Sequence, residues 1–328
     1  MDCLRVRYLS VLIKSLVLLC GLFSASVSAN EQAQQLIERM SQSAKTQDFK
    51  GYFTFERGRQ SSSYFVAHKI KDNKQHQRLV FMDGQPLEII KDGHSFQCIH
   101  AGGQQVQSEH GHLKTLVNLG QPKAKVWDYY SAETIGQQRV AGRETTRILL
   151  KPQDQHRYPF VFNVDNQSGI MVKMLVLDLK GVPLERFHFV NLELDNVEDN
   201  DLAPAMSDYK VVEHAQPTVV GAESKVDLEK WKLAWVPGGF ERDGMNMKPW
   251  NSESEHKAFM YSDGLSAFSV FIEESHAENR ASISKQLGST AAISHYVEAA
   301  GKVFLITVVG EIPVMTAKQI ASSVRFEL

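Results

Sequence analysis

The chain has 328 residues, 36 basic against 38 acidic side chains, and three cysteines. A charge this close to balance argues against nucleic acid as a partner, which requires a strongly basic face. The length exceeds what one hydrophobic core usually organises, so two domains are expected.

Residues 1–29 read as a secretory signal peptide. Arg5, Arg7 and Lys14 give a basic start, Ser15 to Phe23 a short apolar run, and Val27-Ser28-Ala29 the small residues that a signal peptidase reads. Cleavage after Ala29 would release a soluble mature chain that begins at Asn30 and lives outside the cytoplasm. An uncleaved anchor would need about 20 apolar residues, and lysines and serines interrupt this run. A lipoprotein would need a small residue before its acylated cysteine, whereas Leu19 precedes Cys20. The signal carries Arg5, Arg7, Lys14 and Asp2 away, so the 36 basic and 38 acidic residues become 33 and 37, a net charge of −4. Cys98 is then the remaining thiol and cannot form an internal disulfide. It sits in the apolar run Ser95 to Ile99 and reads as a small buried hydrophobe.

A helix is expected over Gln32 to Ser43, where Ala33, Leu36, Ile37 and Met40 recur at helical spacing. Strands follow. Phe49, Gly51, Phe53 and Phe55 alternate with Tyr52 and Thr54, and turn residues then separate runs at 62–71, 77–82, 87–91 and 95–101. No space remains for crossover helices, so these are antiparallel hairpins in sequence order. A helical interlude is expected at His112 to Leu119, with a further turn through Asp128 to Ser131. Strands resume at 139–140, 145–151, 159–164, 170–179 and 184–194. The run 170–179 is apolar on both faces, so helices, a bound ligand or a curled sheet must cover each.

Residues 206–226 are expected to link a first domain (30–205) to a second (227–328). The second should hold strands at 233–236, 258–262, 267–273, 291–299 and 303–309. A closing helix begins at Pro313, with Ile320 and Val324 inward and Thr316 and Lys318 outward. The expected fold is mainly β, with a smaller α+β module behind.

No catalytic constellation emerges. Gly264-Leu265-Ser266 lacks the second glycine of a nucleophile elbow and lies between strands. Cys98 has His94 and His100 nearby, but along a strand the three would not converge. Glu109-His110-Gly111-His112 lacks a third fixed ligand, so no metal is expected, and no cofactor-binding loop occurs. The chain reads as a binding protein rather than an enzyme. Phe53, Phe55, Phe65, Phe81, Met174 and Val176 are candidates to line an apolar cavity. Trp250, in a polar loop, and Phe240 are candidates for partner contact.

Three stretches carry a resemblance to a known family: Asp48-Phe49-Lys50-Gly51, Trp235-Val236-Pro237-Gly238-Gly239-Phe240, and Ser262-Asp263-Gly264-Leu265-Ser266 running into Ser269 to Ile272. The closing Val308 to Pro313 with Ala317 to Val324 fits as well. With the signal peptide, length and domain order, the chain resembles the RseB/MucB family of periplasmic regulators of the sigma-E envelope stress response. The resemblance implies an N-terminal, incompletely closed antiparallel β-barrel with covering helices, similar to the lipoprotein carriers LolA and LolB. A small antiparallel sheet with a helix would follow. It further implies binding to the periplasmic part of the membrane-bound anti-sigma factor RseA, shielding it from proteolysis. Release would come on binding lipopolysaccharide or another envelope lipid. Self-association as a homodimer stays open. A lipid or lipoprotein carrier without a signalling partner is the first alternative reading, and an exported enzyme with a site assembled from scattered residues is the second.

Overall fold

In the computed structural model, the described residues are 30–93, 95–101, 124–205, 209–214, 230–243, 258–276 and 280–327. The expected signal peptide and the helix at 112–119 lie outside them.

The first part opens with α1 (30–46) and continues as β1 (Phe49–Arg57), β2 (Gln60–Lys71), β3 (Lys74–Phe81), β4 (Leu87–Asp92) and β5 (Ser95–Ala101). After a 3-10 turn at Ala124–Asp128 come β6 (Tyr130–Val140), β7 (Arg143–Pro152), β8 (Phe160–Asp165), β9 (Met171–Leu177) and β10 (Pro183–Leu194). The short α2 (Asp199–Leu202) and β11 (Tyr209–His214) complete it. These strands form one antiparallel sheet of 11 strands in the order β11-β5-β4-β3-β2-β1-β10-β9-β8-β7-β6. Its end strands do not pair with one another, so the sheet does not close into a barrel. Several hairpins turn tightly because both central residues take positive φ, as at Asp72 (51°) and Asn73 (57°) between β2 and β3.

The register builds one apolar row across five strands: Phe55 faces Phe187, then Met174, Phe162 and Ile148. Phe53, Tyr64 and Phe81 begin the neighbouring row. Burying each such side chain stabilises the fold by roughly 1.5–3 kcal/mol. We call this the inner face. α1 lies on it, with Ala33, Ile37 and Met40 in the same core. That i, i+4, i+7 spacing is what the sequence pattern anticipated.

On the outer face, α2 and its flanks cover β2 and β3. Arg78 Nε donates to Glu88 at 2.7 Å, Lys50 pairs with Asp201 at 2.9 Å, and Lys69 Nζ donates to the Val197 carbonyl at 2.9 Å.

The second part contains β12 (Trp231–Leu233), β13 (Glu241–Asp243), β14 (Ala258–Ser262), β15 (Ala267–Glu274), β16 (Ser284–Leu287), β17 (Thr290–Ala299), β18 (Lys302–Gly310), α3 (Val314–Ser323) and β19 (Val324–Phe326). Six of the strands form a sheet in the order β13-β14-β15-β18-β17-β16, and β12 pairs with β19 in a separate ribbon. α3 presents Ala317, Ile320 and Ala321 to a core built from Phe268, Val270, Ile306 and Val308.

Several expectations need correction. Residues 130–131, expected to be helical, begin the 11-residue strand β6. Residues 209–214, inside the expected linker, pair with β5 as an edge strand. The strand expected at 233–236 ends at Leu233, leaving Trp235 to Pro237 irregular. Thr316, expected to face outward, is 2% exposed because α3 packs on both halves of the molecule. Val324 is buried as expected but belongs to β19 rather than the helix.

Candidate functional site: the inner face and the clasp between the halves

Of the residues expected to line a cavity, Phe53, Phe55, Met174 and Val176 are buried in the first core, and Phe81 packs against it. Their rings engage one another. Phe53 lies 4.9 Å from Tyr64 and 4.8 Å from Phe187, and Tyr64 stands edge-on to Phe81 at 4.9 Å. In this conformation they are core beneath α1. Phe65 is set apart from them. It pairs with Tyr52 in the register, on the outer face, where both border an open groove of about 460 Å³ with Val80, Met82 and Lys50.

The two halves meet around Arg157, which sits in the β7–β8 connection and is fully buried. Its Nε donates to Asp263 Oδ2 at 2.9 Å, one Nη donates to Asp154, and the other to the Gly238 carbonyl. The guanidinium lies 4.7 Å from the Tyr129 ring and 4.9 Å from the Phe240 ring, a cation between two π-faces. Asp263 is itself fixed by the backbone N–H groups of Leu265 (2.9 Å) and Ser266 (2.7 Å), and the Tyr130 hydroxyl donates to it at 3.4 Å. Burial, with Asp263 beside it, pushes the Tyr130 phenol well above its usual range, so it remains a donor.

Gly239 takes a φ of 82° under the Tyr129 ring, where a Cβ would overlap the ring. Two of the sequence stretches that carry the family resemblance, Trp235–Phe240 and Ser262–Ser266, thus serve as the jaws of this clasp.

Three further contacts join the halves. Glu185 accepts from Arg57 Nε at 3.1 Å and from the Ser289 hydroxyl at 2.9 Å. Gln286 Nε2 donates to the Tyr158 hydroxyl at 3.2 Å, and burial pushes that phenol up to about 12. His156 hydrogen bonds Thr316 Oγ1 at 3.2 Å and meets the Trp235 ring edge-on at 5.1 Å. Leu265, from the second half, completes the first core. The arrangement holds two sheets together and has no exposed nucleophile. Ser266 lies in the β14–β15 turn capped by Asp263, not at a strand-to-helix elbow.

Phe240, expected at a partner surface, is 7% exposed, between Arg157 and Phe268. Trp250, His94, His110, His112 and the side chains of Cys98 and His100 lie outside the described residues. Among the described residues, no group of three or more His, Cys, Asp or Glu side chains could hold a metal. No helix among them is long and apolar enough to cross a membrane. Sequence reasoning missed Arg157. Its neighbours Gln153 to His156 read as a polar loop, and only the Gly238-Gly239 pair hints at a close approach.

Comparison with known proteins places this geometry in a family. The model of the MucB/RseB N-terminal domain matches residues 32–206, and that of the MucB/RseB C-terminal domain matches residues 225–325. The sigma factor AlgU regulatory protein MucB of Pseudomonas aeruginosa is 32% identical over 95% of this chain and 97% of that protein. The sigma-E factor regulatory protein RseB of Haemophilus influenzae is 26% identical over 93% of this chain and 95% of its own length. The solved complex of Pseudomonas aeruginosa MucA and MucB superposes with a TM-score of 0.73 at 29% identity, covering 90% of this chain and 99% of that one. A crystal structure of MucB gives 0.68 at 27% identity, covering 90% and 98%. With both domain models matched in order and the signature loops closing on one buried arginine, the chain belongs to the MucB/RseB family.

Proposed function

We propose that this chain is a periplasmic regulatory binding protein. It captures the periplasmic part of a membrane-bound anti-sigma factor of the RseA or MucA kind, and shields it from proteolysis. The observation that carries this reading is the likeness, over 90% of the chain, to a MucB structure solved with MucA bound. Export with removal of residues 1–29 would deliver the chain to that partner.

Release by an envelope lipid such as lipopolysaccharide completes the proposal. In this reading the inner face receives the guest and α1, which packs on it, is the cover that moves; among the described residues its side-chain bonds to the sheet come from Arg39 and Ser43. Arg39 Nη2 donates to the Gln167 carbonyl at 2.5 Å, and Ser43 Oγ to the Ser168 carbonyl at 2.8 Å. An apolar guest that displaced α1 would meet Phe53, Phe55, Phe81 and Met174. If the guest prefers the free protein over the complex, linkage dissociates the complex by that difference, about 1–3 kcal/mol for ordinary couplings.

Titration calorimetry with the purified periplasmic domain of such an anti-sigma factor tests the reading, first alone and then with lipopolysaccharide added. Binding that weakens as lipid is added is expected. Absence of binding overturns the regulatory reading. Lipid uptake without any peptide binding would identify a carrier instead.

A further inference from the structure

The outer face of β7 to β10 breaks a rule of sheet design. Arg147 on β7, Asn163 on β8, Lys173 on β9 and His188 on β10 occupy one cross-strand row. Arg186 stands in the next row on the same face, after Leu149, Val161 and Leu175. Lys173 stands beside His188 and diagonal to Arg186 on the neighbouring strand, about 4.8 Å away, and Arg147 lies two strands from Lys173 in the same row. Like charges gathered this way on one face are destabilising. Burial, together with Arg186 and Arg147, holds the Lys173 ammonium below its usual range, and His188 is lowered by burial and by Lys173 and Arg186.

Compensation is thin. Among the described residues no carboxylate pairs with Arg147 or Lys173, while Arg186 reaches Glu56 at 3.6 Å across an exposed pair. The Nε atoms of Arg147 and Arg186 are buried without a hydrogen-bond partner among the described residues. Asn163, between the cations, turns its amide to Thr145 Oγ1 at 2.9 Å and Gln138 Oε1 at 3.2 Å, so it neutralises nothing.

Exposed apolar side chains flank the cationic rows at both ends of β10. Val190 on β10 is 61% exposed, and Leu179 and Val182 in the β9–β10 turn are 51% and 56% exposed. Locally unfavourable choices that persist in a well-packed sheet are where function is expected. A positive cluster with an exposed valine beyond one end of it is complementary to a phosphate group attached to a greasy body.

We propose that this outer face docks on an anionic lipid, its phosphate headgroup seated on Arg147, Lys173 and Arg186, and its apolar margin against Val190. The site lies on the opposite side of the sheet from α1, and it does not depend on whether the inner face admits a guest or on partner capture.

Flotation of the mature protein with phosphatidylcholine vesicles, with and without phosphatidylglycerol, tests it. Binding is expected only with phosphatidylglycerol, and it should weaken as salt rises. The triple variant Arg147→Gln, Lys173→Gln, Arg186→Gln should bind these vesicles roughly a hundredfold more weakly. It should fold at least as well as the parent, because repulsion is relieved. The double variant Lys285→Gln, Lys318→Gln, which removes exposed charge from the second half, should bind like the parent. Glu56→Gln, which removes the neighbouring carboxylate, should tighten binding. Equal binding by the triple variant, or equal binding to pure phosphatidylcholine, overturns the proposal. Inorganic phosphate binding as strongly as the vesicles would also overturn it, by assigning the cluster to a free anion. Because affinity for the anti-sigma domain in lipid-free buffer is not expected to change in the triple variant, its failure separates from that of the regulatory reading.

Discussion

The two sheets cover their apolar faces by different means. In the smaller one, α3 runs directly into β19, so the covering helix is continuous with a strand of the frame. It is also gripped from the first half through His156 and Thr316. In the larger one, α1 precedes the sheet in sequence. Its side-chain bonds to the sheet, among the described residues, come from Arg39 and Ser43 at the β8–β9 turn. One cover is built in and the other is laid on. The opening proposed above therefore falls to the cover that is laid on.

The largest effect should come from the joint between the halves. Arg157→Met leaves Asp263 buried without its cation, and a loss of about 3–5 kcal/mol is expected, read by urea denaturation. A loss under about 1 kcal/mol would mean that the halves do not depend on this clasp.

Truncating a core ring on each side sharpens the contrast. Phe162→Ala and Phe268→Ala each remove a fully buried ring and should cost about 3–5 kcal/mol. If the clasp couples the halves, both variants shift a single calorimetric transition. In an Arg157→Met background each should lower only its own half, giving two transitions. A single transition in that background would refute the coupling.

Loosening the laid-on cover is a smaller change. Arg39→Ala with Ser43→Ala removes partly exposed hydrogen bonds and should cost about 1–2 kcal/mol. The variant should nevertheless bind a fluorescent apolar probe more strongly than the parent does. Equal probe binding would show that α1 stays in place.

The smallest effect is one of pH. His68 is 3% exposed, stacks on Phe49 at 5.0 Å and hydrogen bonds the Gln47 carbonyl at 3.1 Å. Burial holds its pKa below the ordinary 6.5. As pH falls through about 6.5 the unfolded chain takes up the proton first. Stability present above that value is therefore lost down to the folded pKa. His68→Gln should flatten this slope in thermal melts recorded across mildly acidic buffers, and an unchanged slope would exonerate the residue.

Much of the strand order was legible because alternation is local. Phe53 and Phe55 declare their face by spacing alone, and the helical period of Ala33, Ile37 and Met40 does the same for α1. What escaped was polar or distant. Only Arg139 and Val140 of β6 were anticipated, since Thr134 to Arg139 carries no apolar alternation at all. β16, exposed along its whole length, offers no burial signal either. β11 reads as linker because its place depends on β5, more than a hundred residues earlier. Phe65 alternates with Tyr64, yet the sequence does not say which face becomes the inner one. Arg157 is the plainest case. Its loop is polar, and it is buried because the Gly238 and Asp263 turns arrive from the far half.

The β12–β19 ribbon makes the smaller half depend on pieces far apart in sequence. Trp231 packs its indole on Phe326, 5.1 Å away, and Lys232 faces Arg325 in the ladder. The opening and closing segments of the smaller half therefore need each other. A chain still being synthesised holds Trp231 without this lid until Phe326 has been added, and removing Val324 to Phe326 would uncover the same indole in the finished protein.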